Sequence, residues 1–219
     1  MTRLLLIRHG AAANRGLIAS TRTCRGLSPL GHNQARALAQ RVATEQRNLR
    51  ATIVYTTTVP RARQTGEHLA RALGVPLRAE LPGPNYGTAE GRYLAEVLAR
   101  REVSPALEPD TPLAEGAEPW TVLSSRVSHE LAIITDRHPD ETVAVVCHRQ
   151  NIVAATQSLL GAPPTVEHAS IELGPTSITD WQQRPVRGAR TSSTSRYRWV
   201  LLRCNDLNHL NDVDRVRAG

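Results

Sequence analysis

The sequence contains no lysine and no phenylalanine, and aromatic residues make up only 3% of its 219 positions. Without phenylalanine, a core must be built mainly from leucine, valine, isoleucine and alanine. Without lysine, all 27 basic residues are arginines, and they give the chain a net charge of +7. Either the protein meets an anion, or its gene favours arginine codons, as GC-rich bacterial genes do. Nucleic acid, a membrane surface and a small phosphate would all suit this charge, so charge alone does not choose among them.

Cysteine is also scarce, and long apolar runs are missing. The three cysteines, Cys24, Cys147 and Cys204, include no C-x-x-C pair, which argues against a disulfide scaffold or a zinc site and favours a reducing compartment. The apolar run near the N-terminus has four residues, too few for a signal peptide, and no later stretch approaches the roughly 20 apolar residues of a membrane span. We therefore expect a cytoplasmic protein that does not contact a membrane.

Short apolar runs alternate with helical patterns along the chain. The runs Leu4–Ile7, Ile53–Thr57 and Thr142–Cys147 predict buried strands of a parallel sheet. Apolar spacing predicts helices over Pro29–Arg47, from Pro60 to a C-cap at Gly74, over Tyr93–Arg101, over Trp120–Arg137, and before Gly161. This alternation, in a chain of this length, indicates one α/β domain over residues 1–219.

The other segments are predicted as edge strands and loops. Val75–Leu77 predicts a short edge strand, while the tail predicts one strand at Ser170–Leu173 or Ser177–Trp181 and another at Tyr197–Arg203. Residues 81–119 and 182–196 predict loop insertions of the kind that form a lid over a site. The second loop is rich in arginine but lacks the interleaved aromatic residues of a nucleic-acid platform, so we expect no nucleic-acid partner.

Charged side chains follow the predicted strands at the point where each strand ends. Arg8 and His9 follow the first strand, Arg61 follows the second, and His148 follows the run that ends at Cys147. Because the carboxyl ends of parallel strands meet at one sheet edge, these four side chains are expected to form a cationic pocket for a phosphoryl group. Gly10 is expected to let the backbone approach the substrate.

This pocket predicts phosphoryl transfer without a metal or other cofactor. A neutral His9 can attack phosphorus while Arg8, Arg61 and a protonated His148 hold the phosphoryl oxygens. Glu90, in the loop that precedes Tyr93, is the candidate general acid for the leaving oxygen. Further substrate contacts are expected from residues close to the strand ends, namely Asn14, Arg15, Arg25 and Arg149.

Six stretches together resemble the histidine phosphatase superfamily, whose fold is phosphoglycerate mutase-like. Arg8-His9-Gly10 is similar to the nucleophile motif, and Leu27-Ser28-Pro29-Leu30-Gly31 with Gln34-Ala35 is similar to "L-T-x-x-G-x-x-Q-A". The stretch from Thr57 to Thr65, with Arg61-Ala62 and Gln64-Thr65, is similar to "S-x-L-x-R-A-x-Q-T". Gly87-Thr88-Ala89-Glu90-Gly91 resembles "G-x-W-E-G", and Val146-Cys147-His148 resembles the second catalytic histidine. The tail from Asn205 to Leu210 is similar to "N-D-x-x-H-L". The resemblance implies a three-layer αβα fold with a mostly parallel central sheet.

The resemblance also implies a function, with departures from the family pattern. Ala11 and Ala12 replace polar residues after the nucleophile motif, Cys24 replaces an aspartate, and Ala89 replaces the tryptophan before Glu90. The favoured function is a metal-independent phosphomonoesterase for a small phosphorylated metabolite. A phosphosugar mutase is an alternative, but residues 81–91 lack its "E-R-H-Y-G" segment. A non-catalytic module for phosphorylated ligands is a second alternative, and a homodimer, common in relatives, is left open.

Overall fold

A six-stranded sheet lies at the centre of the computed structural model, which describes residues 1–14, 16–100, 108–164, 171–186 and 197–210. Its strands are β1 Arg3–Arg8, β2 Ala51–Thr57, β3 Leu77–Leu81, β4 Thr142–Cys147, β5 Ile178–Pro185 and β6 Tyr197–Asp206, in the order β3-β2-β4-β1-β5-β6. The first four in this order are parallel, whereas β5 and β6 are antiparallel to their neighbours. The mostly parallel sheet confirms the predicted fold class.

Helices cover both faces of this sheet. They are α1 Pro29–Leu49, α2 Pro60–Leu73, α3 Leu94–Leu98, α4 Trp120–Arg137 and α5 Arg149–Leu159, and a 3-10 turn covers Gly87–Ala89. Successive strand residues point to opposite faces, so Leu4 and Leu6 join the core under α4 and α5, and Leu5 and Ile7 join the core under α1 and α2. Covered on both faces, β1 has no polar alternation, and the three-layer arrangement is confirmed.

The start of α1 shows why its sequence forms a helix there. The Ser28 side chain accepts a hydrogen bond from Gly31 N at 3.0 Å, and Pro29 occupies the first turn, where its missing N–H does no harm. The helix runs two residues beyond the predicted end at Arg47, because Leu49 is a further buried anchor on its apolar face.

Two predicted elements near the middle of the chain were misplaced. The edge strand is β3, Leu77–Leu81, rather than Val75–Leu77, because Val75 N still bonds to Ala70 O at 3.1 Å and closes α2. The helix expected over Tyr93–Arg101 is the five-residue α3, and residues 101–107 lie outside the described part of the chain.

The tail also departs from expectation. The strand lies at Ile178–Pro185, so the first of the two alternatives, Ser170–Leu173, was wrong, and β6 continues past Arg203 to Asp206. Residues 182–185, expected to begin a loop, pair with residues 197–200 in an antiparallel hairpin. Their side chains are polar, so backbone hydrogen bonds of the hairpin hold this part of the strand in place. Residues 187–196 lie outside the described residues.

Three arginines, Arg3, Arg41 and Arg203, bind carboxylates and join β1, α1, β5 and β6; we call them the paired arginines. Asp180, fully buried in β5, accepts hydrogen bonds from Arg3 Nη2 at 2.6 Å and from Arg203 Nε at 3.1 Å. Arg41 donates to both oxygens of Asp206, at 2.9 and 2.6 Å. The hydrogen bond from Arg41 is the main cause that lowers the pKa of Asp206 to about 2, and the same bond raises the pKa of Arg41.

Cys24, Cys147 and Cys204 are all free thiols. Within the described ranges, no helix combines the length and the apolar character that a membrane crossing needs.

Candidate active site

The carboxyl ends of β1, β2 and β4 meet at one edge of the sheet. Arg8 ends β1 and His9 follows it, His148 follows β4, and Arg61 lies in the first turn of α2 just after β2. The rings of His9 and His148 meet edge to face, with an interplanar angle of 62° and their centroids 5.1 Å apart. The structure therefore brings together the four side chains that the sequence predicted would meet.

The guanidinium of Arg61 bridges the two imidazoles. Its Nε donates to His9 Nε2 at 2.9 Å, and its Nη2 donates to His148 Nδ1 at 3.1 Å. Its third donor, Nη1, is fixed by the carbonyl oxygen of Ala19 at 2.7 Å. A guanidinium has no acceptor, so each imidazole must offer a lone pair to it.

The remaining ring nitrogens then carry the protons. His9 Nδ1 donates to the Gly10 carbonyl oxygen at 2.8 Å, and His148 Nε2 donates to Thr57 Oγ1 at 2.9 Å. Both rings are therefore neutral. Burial, followed by the charge of Arg61, lowers the pKa of both histidines well below 6.5. His148 is neutral in this arrangement, because a third cation beside Arg8 and Arg61 would be unfavourable, and the protonated His148 expected with a phosphoryl group bound stays a prediction.

Arg8 is a buried cation that faces a carbonyl group. Its Nη1 donates to the carbonyl oxygen of Leu173, while its buried Nε has no hydrogen-bond partner in the described part of the chain. Burial, then Arg149, then Arg61, lower the pKa of Arg8 to about 10. Among the described residues, no ion pair includes Arg8 or Arg61, and we call these two the cage arginines.

The segment 173–176 supports Arg8 from behind. Thr176, whose φ of 62° lies in the left-handed region, donates its N–H to Arg8 O at 3.0 Å. Its Oγ1 is 3.0 Å from His209 Nε2, and Gly174 N donates to Asn205 Oδ1 at 2.8 Å. We call the site formed by Arg8, His9, Arg61 and His148 the cage. The tail motif, to which sequence reasoning gave no role, therefore holds the backbone behind the cage.

Two adjoining cavities open onto the histidines. The larger has a volume of about 720 Å³ and the other about 340 Å³, and Arg8, His9 and Arg61 line both. His148 and Arg149 line the second one only. The predicted lid, residues 81–119, contributes Leu94 to both cavities and further side chains, from Tyr86 and Leu113, to the second.

The predicted substrate contacts are placed unequally. Asn14 lines the larger cavity, but its amide is engaged with Arg25 N at 2.6 Å and Thr23 O at 3.3 Å. Arg25 is absent from the walls of both cavities, and Arg15 lies outside the described residues. Arg149 lines the second cavity and donates to Ile171 O at 3.3 Å.

Glu90 is held by the loop that follows β1. Its Oε1 accepts from Ser20 N and from both N and Oγ1 of Thr23 at 3.1–3.3 Å, and its Oε2 accepts from Arg22 Nε and Nη2 at 3.2 and 3.0 Å. Burial alone would raise its pKa, but these donors outweigh burial and lower the pKa of Glu90 to about 2. The prediction of a general acid therefore receives no support here, because an ionised carboxylate has no proton to give.

Gly10 also has a different role from the expected one. A Cβ at Gly10 would lie 2.7 Å from Gly31 O, and one at Gly31 would lie 2.0 Å from Ala11 O. The two glycines thus allow the loop after β1 to pack on the start of α1. This packing alone requires a glycine at position 10, and its approach to a substrate stays a prediction.

Several polar residues that fix the loop after β1 were missed as functional residues. Thr65 Oγ1 accepts from Gly10 N at 3.1 Å, Gln34 Oε1 accepts from Ala11 N at 2.9 Å, and Gln64 Oε1 accepts from Leu27 N at 2.7 Å. All three lie in the family motifs quoted above. Their place in a motif is the only feature of the sequence that could have identified them. Thr57, the partner of His148, has the same signal, since it is the first residue of the stretch from Thr57 to Thr65 that resembles "S-x-L-x-R-A-x-Q-T".

The described residues contain no group of three or more His, Cys, Asp or Glu side chains arranged to hold a metal ion. Cys147, next to His148, is buried in β4, and burial raises the pKa of its thiol to about 12. It is a small core residue rather than a nucleophile.

The fold and its paired imidazoles define a phosphoglycerate mutase-like α/β protein with a cationic cavity. The model of the histidine phosphatase superfamily (branch 1) matches residues 4–190, and the chain belongs to this family. No curated protein matches the chain significantly.

Solved structures of phosphatases share the fold. Phosphoserine phosphatase from Entamoeba histolytica in complex with 3-phosphoglyceric acid is 26% identical, with 96% of this chain and 100% of that chain covered and a TM-score of 0.75. Mycobacterial glucosyl-3-phosphoglycerate phosphatase is 21% identical, with 93% and 98% covered and a TM-score of 0.76. YhfR of Bacillus stearothermophilus is 20% identical, with 95% and 99% covered and a TM-score of 0.77.

Proposed function

We propose that this chain is a metal-independent phosphatase that forms a phosphohistidine on His9 and acts on a small phosphorylated metabolite. One observation carries the proposal: His9 is neutral, its Nδ1 proton is fixed by the Gly10 carbonyl, and its Nε2 lone pair faces the cage. A neutral imidazole with a fixed tautomer is a competent nucleophile towards phosphorus.

Binding of a phosphoryl dianion would rearrange the donors of the cage. The two Arg61 donors that now bind imidazoles are 2.9 and 3.1 Å from them, and a bound anion offers stronger acceptors. Arg8 Nε, now without a partner, offers a third donor. Release of His9 Nε2 from Arg61 frees its lone pair for attack.

The charge of the dianion also changes the histidines. An opposite charge close by raises the pKa of an imidazole. His148 Nδ1, which now accepts from Arg61, would then take up a proton and donate to a phosphoryl oxygen. The protonated His148 expected from the sequence thus belongs to the occupied site in this proposal.

The test is a rapid-quench experiment with 4-nitrophenyl phosphate and EDTA, followed by an alkaline quench that preserves phosphohistidine. We expect phosphate release and a phosphoenzyme that are both lost in His9→Ala, whose fold is checked by circular dichroism. His129→Ala, which removes an exposed histidine on α4, is the matched control and should behave as the unsubstituted protein. A phosphoenzyme that survives in His9→Ala would refute the nucleophile.

A second candidate is a module that binds phosphorylated ligands without turnover. It is favoured by one observation, the engagement of Glu90 with residues 20–23, which leaves the cage without the expected acid. Binding of inorganic phosphate with no turnover would support it. Transfer of phosphate to a second hydroxyl, rather than to water, would instead support the mutase alternative.

A further inference from the structure

The walls of the two cavities contain no carboxylate among the described residues. Their ionisable side chains are Arg8, His9, Arg61, Tyr86, His148 and Arg149. The remaining side chains of the walls are apolar, such as Leu17, or carry an amide or a hydroxyl group, as in Asn14 and Ser28. A leaving group that departs into these cavities therefore meets cations, but it meets no carboxylic acid.

Tyr86 does not supply the missing proton. Its hydroxyl donates to Gln150 Oε1 at 2.9 Å, so the proton is directed away from the histidines and into an amide. Burial, the largest cause, raises its pKa. Glu90 and Tyr86 are thus both held by other partners, and the proton that the proposed function places on His148 is donated to a phosphoryl oxygen.

We infer that the site is specialised for phosphoric anhydrides, above all acyl phosphates, whose leaving group departs as a stable anion and needs no proton. This inference rests on the proposed function and names its substrate class. An alkyl ester must release an alkoxide, which is strongly basic and needs a general acid. An acyl phosphate releases a carboxylate, the conjugate base of an acid with a pKa of about 4.

Arg149 suits such a leaving group. It lies on the second cavity, close enough to Arg8 for its charge to lower the pKa of Arg8. An anion that leaves beside these guanidiniums is stabilised by charge alone, without proton transfer. A phosphoramidate fits less well, because its nitrogen must be protonated before it leaves.

The two steps balance without an external acid. In the first, His9 Nε2 forms a bond to phosphorus, the bond from phosphorus to the acyl oxygen breaks, and its electron pair leaves on the carboxylate. The ring, with Nδ1 still protonated, becomes a cationic phosphoimidazolium. In the second, a water oxygen bonds to phosphorus, the N–P bond breaks and its electron pair returns to Nε2. One proton of that water stays on the phosphate and the other passes to it or to solvent.

The test is a series of leaving groups on the full chain with EDTA: acetyl phosphate, 4-nitrophenyl phosphate, phenyl phosphate and O-phosphoserine. His9→Ala supplies the background for each substrate. We expect kcat/KM to fall by at least about 100-fold from acetyl phosphate to O-phosphoserine, since a positioned general acid contributes roughly 10²–10⁴-fold. Glu90→Gln and Tyr86→Phe should each change all four values by the same factor.

Two results would overturn the inference while leaving the proposed function intact. One is hydrolysis of O-phosphoserine within tenfold of acetyl phosphate. The other is a selective loss of O-phosphoserine hydrolysis in Glu90→Gln or Tyr86→Phe, which would identify that residue as the acid. Failure of the proposed function looks different, because no substrate would then give phosphate release that depends on His9.

Discussion

The paired arginines and the cage arginines differ in what they face. The paired arginines face carboxylates: hydrogen bonds from Arg41 to Asp206 raise the pKa of Arg41, and the negative charge of Asp180 outweighs burial and raises the pKa of Arg203. The cage arginines face imidazoles and carbonyl groups, and burial lowers the pKa of Arg8 to about 10. The paired arginines have carboxylate counter-ions within the fold. The cage arginines have none among the described residues, and under the proposed function a substrate anion takes that role.

This difference separates stability from function. Burial of a cation without a counter-ion costs free energy of folding. Where a buried cation does have a counter-ion, removal of that partner strongly destabilises the fold. The cage is therefore a locally destabilised region, which an anionic substrate would stabilise under the proposed function. Substitutions among the paired arginines and their carboxylates should therefore lower stability, whereas substitutions of the cage arginines should lower activity.

The largest effect is expected from Arg61→Ala. It removes the donors to both imidazoles, and arginines that stabilise phosphoryl transfer contribute about 10³–10⁵-fold in turnover. We expect kcat/KM with 4-nitrophenyl phosphate to fall at least about 10³-fold, with no loss of stability in urea denaturation. Arg203→Ala is the matched control and should retain activity per folded molecule. Equal losses of activity in both variants would remove the distinction between the two sets.

Asp180→Asn should show the opposite behaviour. It leaves Arg3 and Arg203 without their shared carboxylate, and loss of one partner of a buried ion pair costs about 3–5 kcal/mol. We expect a loss near the lower value in urea denaturation at pH 7, because both guanidiniums are partly exposed. An unchanged stability would show that Asp180 is not the counter-ion of this region.

The histidines predict a pH dependence of stability. Histidines of the unfolded chain titrate near 6.5, whereas the pKa of both His9 and His148 is lowered in the fold. As the pH falls below about 6.5, the unfolded chain takes up protons that the folded site does not, so stability decreases, by up to about 1.4 kcal/mol per pH unit for each imidazole. Urea denaturation at pH 7.5 and 5.5 measures this slope. The double variant His9→Asn with His148→Asn should flatten it, and an identical slope would contradict the neutral pair.

The smallest effect is expected from Glu90→Gln. It weakens the hold on residues 20–23 and should cost on the order of 1 kcal/mol, the typical contribution of a hydrogen bond. Glu67→Gln, which alters an exposed pair with Arg63, is the control and should cost less than about 0.5 kcal/mol. Equal values for the two variants, by thermal or urea unfolding, would mean that Glu90 is an ordinary surface carboxylate.

The sequence was sufficient for the residues whose position follows from topology. Arg8, Arg61 and His148 come directly after strands or in the next helical turn, and parallel strands bring such residues together. Their apolar runs are continuous because the sheet is covered on both faces, so the strands were recognisable.

The misplaced features depend on contacts that no local pattern reveals. Glu90 is oriented by residues 20–23, about 70 positions earlier, and the direction of a loop side chain follows from such partners. Gly10 is fixed by Gly31 in a different element. Residues 182–185 are polar, and only their hairpin partners in β6 make them a strand.

The support behind Arg8 sets the order in which a growing chain can become active. β1 is synthesised first, yet its two neighbours are β4 and β5, and Thr176 and His209 complete the backbone behind it. Residues up to His209 must therefore leave the ribosome before residues 8 and 9 reach their final surroundings. The stretch Arg8-His9-Gly10 is thus synthesised well before the elements that complete its site.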